Sequence, residues 1–305
     1  MSTFRKIAFG YSTLCNIQCG HCIAADEDTP ARGMELTRAM KLIEDLADSN
    51  VKGISFTAGE PLIFLNDILS LLQVCGKRGL YSRVVTNGFW ASTPKRSDQT
   101  ICSLVQNGLS QLRISFSRWH EKHLNRNNIV HAVSSCNKYN LDYFISFITD
   151  FSEQDESPEQ FLRDSSFRFF PEPLIYFGRA QKLSRSNIHT DYQPNTCVMN
   201  PYLSPELDMF ACCDAGSRFT NSNFFFLGNL KDYPVEELFR KSENNPLFNL
   251  IRSMGLTDIA SYLGYCSREI ITYRKCEMCE KIFNSRETVI RLEAEASKGL
   301  LEWKR

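Results

Sequence analysis

The chain has 305 residues and a mass of 35.0 kDa, room for about two domains or one large barrel with an appendage. Lys+Arg and Asp+Glu both number 35, so no net charge draws it to nucleic acid or to an anionic membrane, and no apolar run approaches the ~20 residues of a membrane span. Twelve cysteines with no secretory leader argue against a disulfide framework and for metal binding in a reducing cytosol.

From the N-terminus, residues 7–11 read as a strand that feeds a cysteine-rich loop. Residues 36–47 carry Met40, Leu42, Ile43 and Leu46 at helical spacing, and 51–57 read as a second strand. The series continues with a helix at 66–77, a strand at 82–86, a helix at 97–105, a strand at 112–116 and a helix near 129–137. Strands at 141–148 and 167–170 complete it. Strand–helix units of this length imply parallel strands joined by right-handed crossovers. Periodicity alone leaves an open partial barrel and a doubly wound sheet both standing.

The most informative segment is the loop after the first strand, Cys15-Asn16-Ile17-Gln18-Cys19-Gly20-His21-Cys22. Three thiols in C-x3-C-x2-C spacing on one short loop suit three corners of a [4Fe–4S] cluster, whose usual ligands are cysteine thiolates. The loop is expected to rely on Gly20 and Asn16 for backbone freedom. A closed zinc site would need a fourth ligand; His21 could supply it but would crowd its two cysteine neighbours. With only three protein ligands, one iron stays open to a small molecule.

This motif resembles the signature of the radical S-adenosylmethionine (SAM) superfamily. The resemblance implies a SAM-binding [4Fe–4S] cluster on Cys15, Cys19 and Cys22, with reductive cleavage of SAM to a 5′-deoxyadenosyl radical that abstracts a substrate hydrogen. A flavodoxin- or ferredoxin-type reductant would supply the electron. His21 stands where the family often has an aromatic residue. The fold implied is α/β, a partial (β/α)6 TIM-like barrel over residues 1–185, with a small C-terminal cysteine-rich α+β extension over 186–305. In such a barrel the site lies at the carboxyl ends of the strands, and every unusual polar cluster falls at that end.

Gly59, Glu60 and Pro61 follow the second strand and match the family's Gly-Glu element, whose backbone meets the SAM amino group. Asn87, Ser115 and Ser117, at the ends of the third and fourth strands, are candidates for the SAM ribose and carboxylate, or are turn-forming residues. Arg179, in Phe177-Gly178-Arg179-Ala180, pairs with the SAM carboxylate or closes the barrel from its surface. His120 and Glu121, just past the fourth strand, face the substrate or begin a solvated helix.

The cysteines return in the last third as Cys197, Cys212, Cys213, Cys266, Cys276 and Cys279. Residues 209–214 and 226–230 read as a β-hairpin with a looped insertion, and Cys276-Glu277-Met278-Cys279 as a C-x2-C pair on a turn. The stretch resembles the SPASM/twitch extension of radical SAM enzymes. That resemblance implies a second, auxiliary [4Fe–4S] cluster on Cys197, Cys212, Cys276 and Cys279; a structural zinc on the same thiols is the alternative. Cys213 is a candidate hydrogen-atom donor to a substrate radical, as is Cys266, and either serves equally as a core thiol. Cys75, Cys102 and Cys136 read as small apolar core residues.

The family's SPASM/twitch members mostly modify ribosomally made peptides. The expected substrate is therefore a peptide or peptide-derived natural product, changed by crosslinking, oxidation or epimerisation. The chain begins about four residues before its first strand, so no N-terminal leader-binding domain is expected. That weakens the peptide reading without removing it, since a separate leader-binding protein could present the peptide. A small-molecule dehydrogenase or carbon–carbon bond former, and an iron–sulfur scaffold that never cleaves SAM, are the alternatives.

Overall fold

The computed structural model describes residues 5–26, 30–185, 197–219, 221–266 and 275–297. Two compact units divide the chain, Met1–Ser186 with Leu203–Glu206, and Asn187–Tyr202 with Leu207–Arg305.

In the first unit strands alternate with helices: β1 (Arg5–Gly10), α1 (Leu36–Asp48), β2 (Val51–Thr57), α2 (Leu65–Lys77), β3 (Tyr81–Thr86) and α3 (Pro94–Gln106). They continue with β4 (Gln111–Phe116), α4 (Asn127–Lys138), β5 (Asp142–Thr149), α5 (Glu156–Asp164) and β6 (Phe169–Pro173). β1 to β6 lie side by side in chain order, each parallel to its neighbour. The result is the expected α/β architecture, an open parallel sheet of partial-barrel type. Loops that follow the strands therefore gather at one end of the sheet.

Local sequence explains the elements. α1 buries Ala39, Leu42, Ile43 and Leu46 on one stripe, and full burial of a Leu or Ile side chain contributes about 1.5–3 kcal/mol. α3 opens with Thr93, whose side chain accepts from the Arg96 amide, followed by Pro94 in the first turn. β3 and β4 alternate: Ser82, Val84 and Thr86, then Leu112, Ile114 and Phe116, are buried, while Arg83, Val85, Arg113 and Ser115 between them are half-covered. One face of the sheet is sealed and the other remains partly open. On the open face the Arg113 guanidinium donates to Ser146 Oγ at 2.9 Å and pairs with Glu172.

Two elements differ from the sequence reading. α5 was hidden by Pro158, which is tolerated because the first helical turn has no use for its missing N–H. β6 begins two residues later than expected and runs through Pro171 and Pro173, as an edge strand can because one side needs no ladder donors.

The second unit contains an antiparallel hairpin, Asp208–Phe210 with Phe226–Asn229, with an irregular register between Met209 and Phe210. Helices follow at Val235–Asn244, Pro246–Ser253, Leu256–Tyr262, Lys275–Phe283 and Arg286–Ser297. Its core holds a phenylalanine cluster in which Phe224 stacks on Phe283 with centroids 5.0 Å apart, and Phe225 stacks on Phe248 at 5.5 Å. The Cys276–Cys279 pair lies on a helix and not on the expected turn. Glu277, Met278, Lys281 and Ile282 favour helix, and burial of Met278, Ile282 and Phe283 fixes it in place.

Candidate functional site

The cysteine loop leaves β1 and is tied down at both ends. Tyr11 carbonyl accepts from Met34 N at 2.9 Å, and Thr13 N donates to Arg32 carbonyl at 2.8 Å. Inside the loop, Cys22 N donates to Cys19 carbonyl at 3.2 Å. Neither Gly20 nor Asn16 adopts a left-handed conformation, which corrects the expectation of internal backbone relief. The left-handed glycines pack against the loop from outside. Gly59, at φ +59°, lies so close that a Cβ would collide with Leu14 carbonyl and stand 2.7 Å from Ser12 carbonyl oxygen.

Cys19 is buried, Cys22 half-buried and Cys15 exposed. Burial, and then the neighbouring Cys22 and Cys15, push the Cys19 thiol up to about 12; Arg179 opposes them. Burial also raises Cys15, with Glu60 and Cys22 adding to it. Three thiols within electrostatic reach of one another are costly to ionise alone, whereas metal binding takes their protons and compensates their charge. That donor set fits a thiolate-ligated cluster.

Glu60 begins the segment after β2. Its N–H donates to Leu14 carbonyl at 2.8 Å. Its carboxylate, 2% exposed, accepts from Leu62 N at 3.0 Å, Thr86 Oγ1 at 2.8 Å and Asn87 N at 2.7 Å. Burial nevertheless lifts its carboxyl to about 7 against those bonds. Pro61 is buried beside it. Asn87 continues the network: its Nδ2 donates to Asn16 Oδ1 at 3.0 Å and stands 3.9 Å from Cys15 Sγ, while its Oδ1 accepts from Phe89 N at 2.9 Å. Glu60 and Asn87 thus connect the ends of β2 and β3 to the cysteine loop.

The third wall comes from the segment after β4. His21 stacks on Trp119, with centroids 5.1 Å apart, and meets His120 edge-on at 4.6 Å. Its Nδ1 is buried without a hydrogen-bond partner, and burial holds the imidazole uncharged. His120 Nδ1 shares a 2.8 Å hydrogen bond with Ser117 Oγ, and burial drops its pKa to about 3. Ser117 and His120 thus bond each other inside the wall. Glu121 pairs with Arg126. Ser115 sits half-covered on the open face of the sheet, level with Ser146.

Two arginines carry contacts that the sequence does not announce. Arg118 forks to Asp150 at 2.7 Å and Asp155 at 2.5 Å, and lies 3.9 Å over the Trp119 ring. Arg179 Nε donates to Cys19 carbonyl at 2.9 Å, which places it on the cysteine loop.

In the second unit Cys212 lies two residues past the first hairpin strand, and Cys276 and Cys279 stand three apart on one helical face. Burial pushes Cys212 up to about 12, with Asp214 and Cys197 adding to it. Burial also holds Cys276 and Cys279 well above the usual thiol range, reinforced by Cys212 and Cys197. Cys197 and Cys212 thus lie within electrostatic reach of the Cys276–Cys279 pair. Among the described residues, no group of three or more His, Cys, Asp or Glu side chains is arranged to hold a single metal ion.

Residues 11–164, half of the chain, match the family described as "Radical SAM superfamily". The chain is 22% identical over 196 residues to the "Putative peptide biosynthesis protein YydG" of Bacillus subtilis (strain 168), covering 62% of this chain and 60% of that protein. A shorter stretch of 61 residues is 33% identical to the GTP 3′,8-cyclase of Chlorobaculum tepidum, covering 20% of this chain and 18% of that enzyme. The chain thus spans less than two thirds of the length of these curated relatives. Among solved structures, that of histidine-tagged anSMEcpe with bound AdoMet is similar in fold, with a TM-score of 0.59 at 13% identity over 98% of each chain.

Proposed function

This chain belongs to the radical SAM superfamily, and from that premise we propose that it modifies a peptide or peptide-derived natural product. The family implies a [4Fe–4S] cluster and SAM. Cys15, Cys19 and Cys22 would hold the cluster, and the observation that carries this assignment is their placement on one loop at the carboxyl end of β1. When bound, the two cofactors supply the hard chemistry, reductive release of a 5′-deoxyadenosyl radical that abstracts a substrate hydrogen.

The chain's own residues bind and orient. Gly59, Glu60 and Pro61 would present backbone to the SAM amino group, since Gly59 brings the chain to within contact of the cysteine loop. Asn87, Ser115 and Ser117 would be the polar groups for the ribose and carboxylate. The buried stack of His21, Trp119 and His120 excludes water from one flank.

Residues 1–185 then form the radical SAM barrel and 186–305 a SPASM/twitch-like domain. The electrostatic reach of Cys197 and Cys212 to the buried Cys276 and Cys279 thiols supports an auxiliary [4Fe–4S] site there. Such a site would accept the electron left after hydrogen abstraction, which favours net oxidation. Cys213, beside Cys212, is the proposed hydrogen donor for an epimerisation. Partners would be a flavodoxin- or ferredoxin-type reductant and a separate leader-binding protein. Among the described residues, no helix is long and apolar enough to cross a membrane.

The likeness to a peptide biosynthesis protein supports a peptide substrate, and the short likeness to GTP 3′,8-cyclase supports a small-molecule substrate as the second reading. The test is a reduced, SAM-supplied reaction offered candidate precursor peptides, followed by mass spectrometry and chiral amino-acid analysis. A modified peptide formed in step with 5′-deoxyadenosine supports the first reading. Coupling to a small-molecule alcohol or nucleotide alone transfers support to the second.

A further inference from the structure

The segment after β6 reaches back across the sequence to the cysteine loop. Arg179 N donates to both Cys22 and Ala25 carbonyls, each at 3.0 Å. Its side chain adds the bond from Nε to Cys19 carbonyl at 2.9 Å, across a separation of 160 residues. Gly178 precedes it at φ +57°, and a Cβ there would stand 2.6 Å from Cys22 carbonyl oxygen, 2.8 Å from that of Ala25 and 2.9 Å from that of Ile23. Only a glycine lets the backbone lie that close. Behind the contact, Ile17, Cys19, Trp119, Leu174, Tyr176 and Ala180 form one buried apolar cluster.

Three carbonyls of the cysteine loop therefore accept from one residue of the segment after β6, that of Cys19 in addition to its bond from Cys22 N within the loop. A loop of this length gains little internal order from its one backbone–backbone bond, Cys22 N to Cys19 carbonyl. The guanidinium also brings a permanent positive charge to a place where three thiolates and a cluster would carry net negative charge.

We infer that Gly178 and Arg179 form a clasp that holds Cys15, Cys19 and Cys22 at cluster-ligating spacing, and that the Arg179 cation keeps the bound cluster reducible. Arg179 is a positioning residue, acting on the ligands through their backbone and on the cluster through its charge. The inference rests on the reading of these three thiols as cluster ligands.

The test uses the full chain reconstituted without oxygen, with Arg179→Met, Arg179→Gln and Arg179→Lys beside the wild type. The paramagnetic signal that changes when SAM is added picks out the cluster with the open iron. Two quantities are read from it, loss of signal to an iron chelator and midpoint potential. Arg179→Met and Arg179→Gln are expected to lose the cluster about tenfold faster, the loss of one charge-assisted hydrogen bond. Their reduced fraction at fixed poise should fall about tenfold, a shift of about 59 mV to more negative potential for one electron. Arg179→Lys should keep the potential yet still shed iron faster, since its ammonium lacks the fixed guanidinium geometry. Wild-type chelator resistance and potential in both neutral variants would overturn the clasp while leaving the cluster assignment intact. A wild-type chain that yields no SAM-responsive signal would instead remove the cluster assignment, and the clasp with it.

Discussion

Glu60 shows how a single buried residue links the site to stability. Its carboxylate accepts three hydrogen bonds, from Leu62 N, Thr86 Oγ1 and Asn87 N, yet burial raises its pKa to about 7. An unfolded glutamate ionises near about 4.3. Between those values the folded chain keeps a proton that the unfolded chain has released, so stability falls as pH rises through that window. The full effect is about 4 kcal/mol, at 1.36 kcal/mol per pH unit. Glu60→Gln, which cannot ionise, should lose this slope in urea titrations run from pH 4 to pH 8. It should also be less stable overall by about 1–3 kcal/mol, because its amide NH₂ faces a donor in place of an acceptor. A variant that keeps the wild-type slope would remove Glu60 as its source. The residue's sequence context, Gly-Glu-Pro after a strand, marked the position; that its side chain rather than its backbone alone joins β3 was not legible, because hydrogen bonds across strands leave no local pattern.

At the scale of elements, the loops after β4 and β5 are tied by the fork of Arg118 to Asp150 and Asp155. Side-chain exposure is 17% for the arginine and 7% and 3% for its partners. Asp155 also accepts from Thr149 Oγ1 at 2.6 Å and from Asp150 N at 3.0 Å, so it fixes the end of β5 as well. Removing the cation leaves two nearly buried carboxylates uncompensated, and breaking a buried pair in this way costs about 3–5 kcal/mol. Arg118→Met should therefore lower unfolding free energy by about 3 kcal/mol or more in denaturant titration, with Arg118→Lys losing less. A loss under about 1 kcal/mol, the range of a surface pair, would show that the fork is not what holds these loops. The elements themselves were largely readable: β3 and β4 were legible as strands, and Met40, Leu42, Ile43 and Leu46 at helical spacing marked α1, although Ala39 and not Met40 joins its buried stripe. Where local signals conflict with tertiary context the reading failed, as with Pro158 in α5, the prolines of β6, and the helix that carries Cys276 and Cys279.

For the whole molecule, the cysteine spacing was the strongest signal because ligand convergence on one loop is a local property. The same is not true of the second group, since Cys197, Cys212 and the Cys276–Cys279 pair lie on separate segments of their unit. Stacking of Phe224 on Phe283 joins the hairpin insertion to the cysteine helix there, and nothing in the separate segments foretells it. The grip of Arg179 on a loop 160 residues away is a further case. What the molecule does depends first on whether the three thiols of the β1 loop carry a cluster able to cleave SAM. That is settled by measuring 5′-deoxyadenosine from protein reconstituted without oxygen and supplied with dithionite and SAM, beside a variant with Cys15, Cys19 and Cys22 all replaced by alanine. Dithionite-dependent 5′-deoxyadenosine from the wild type, and none from the triple variant, is the expected result. Equal yields from both, or none from a cluster-loaded wild type, would contradict it.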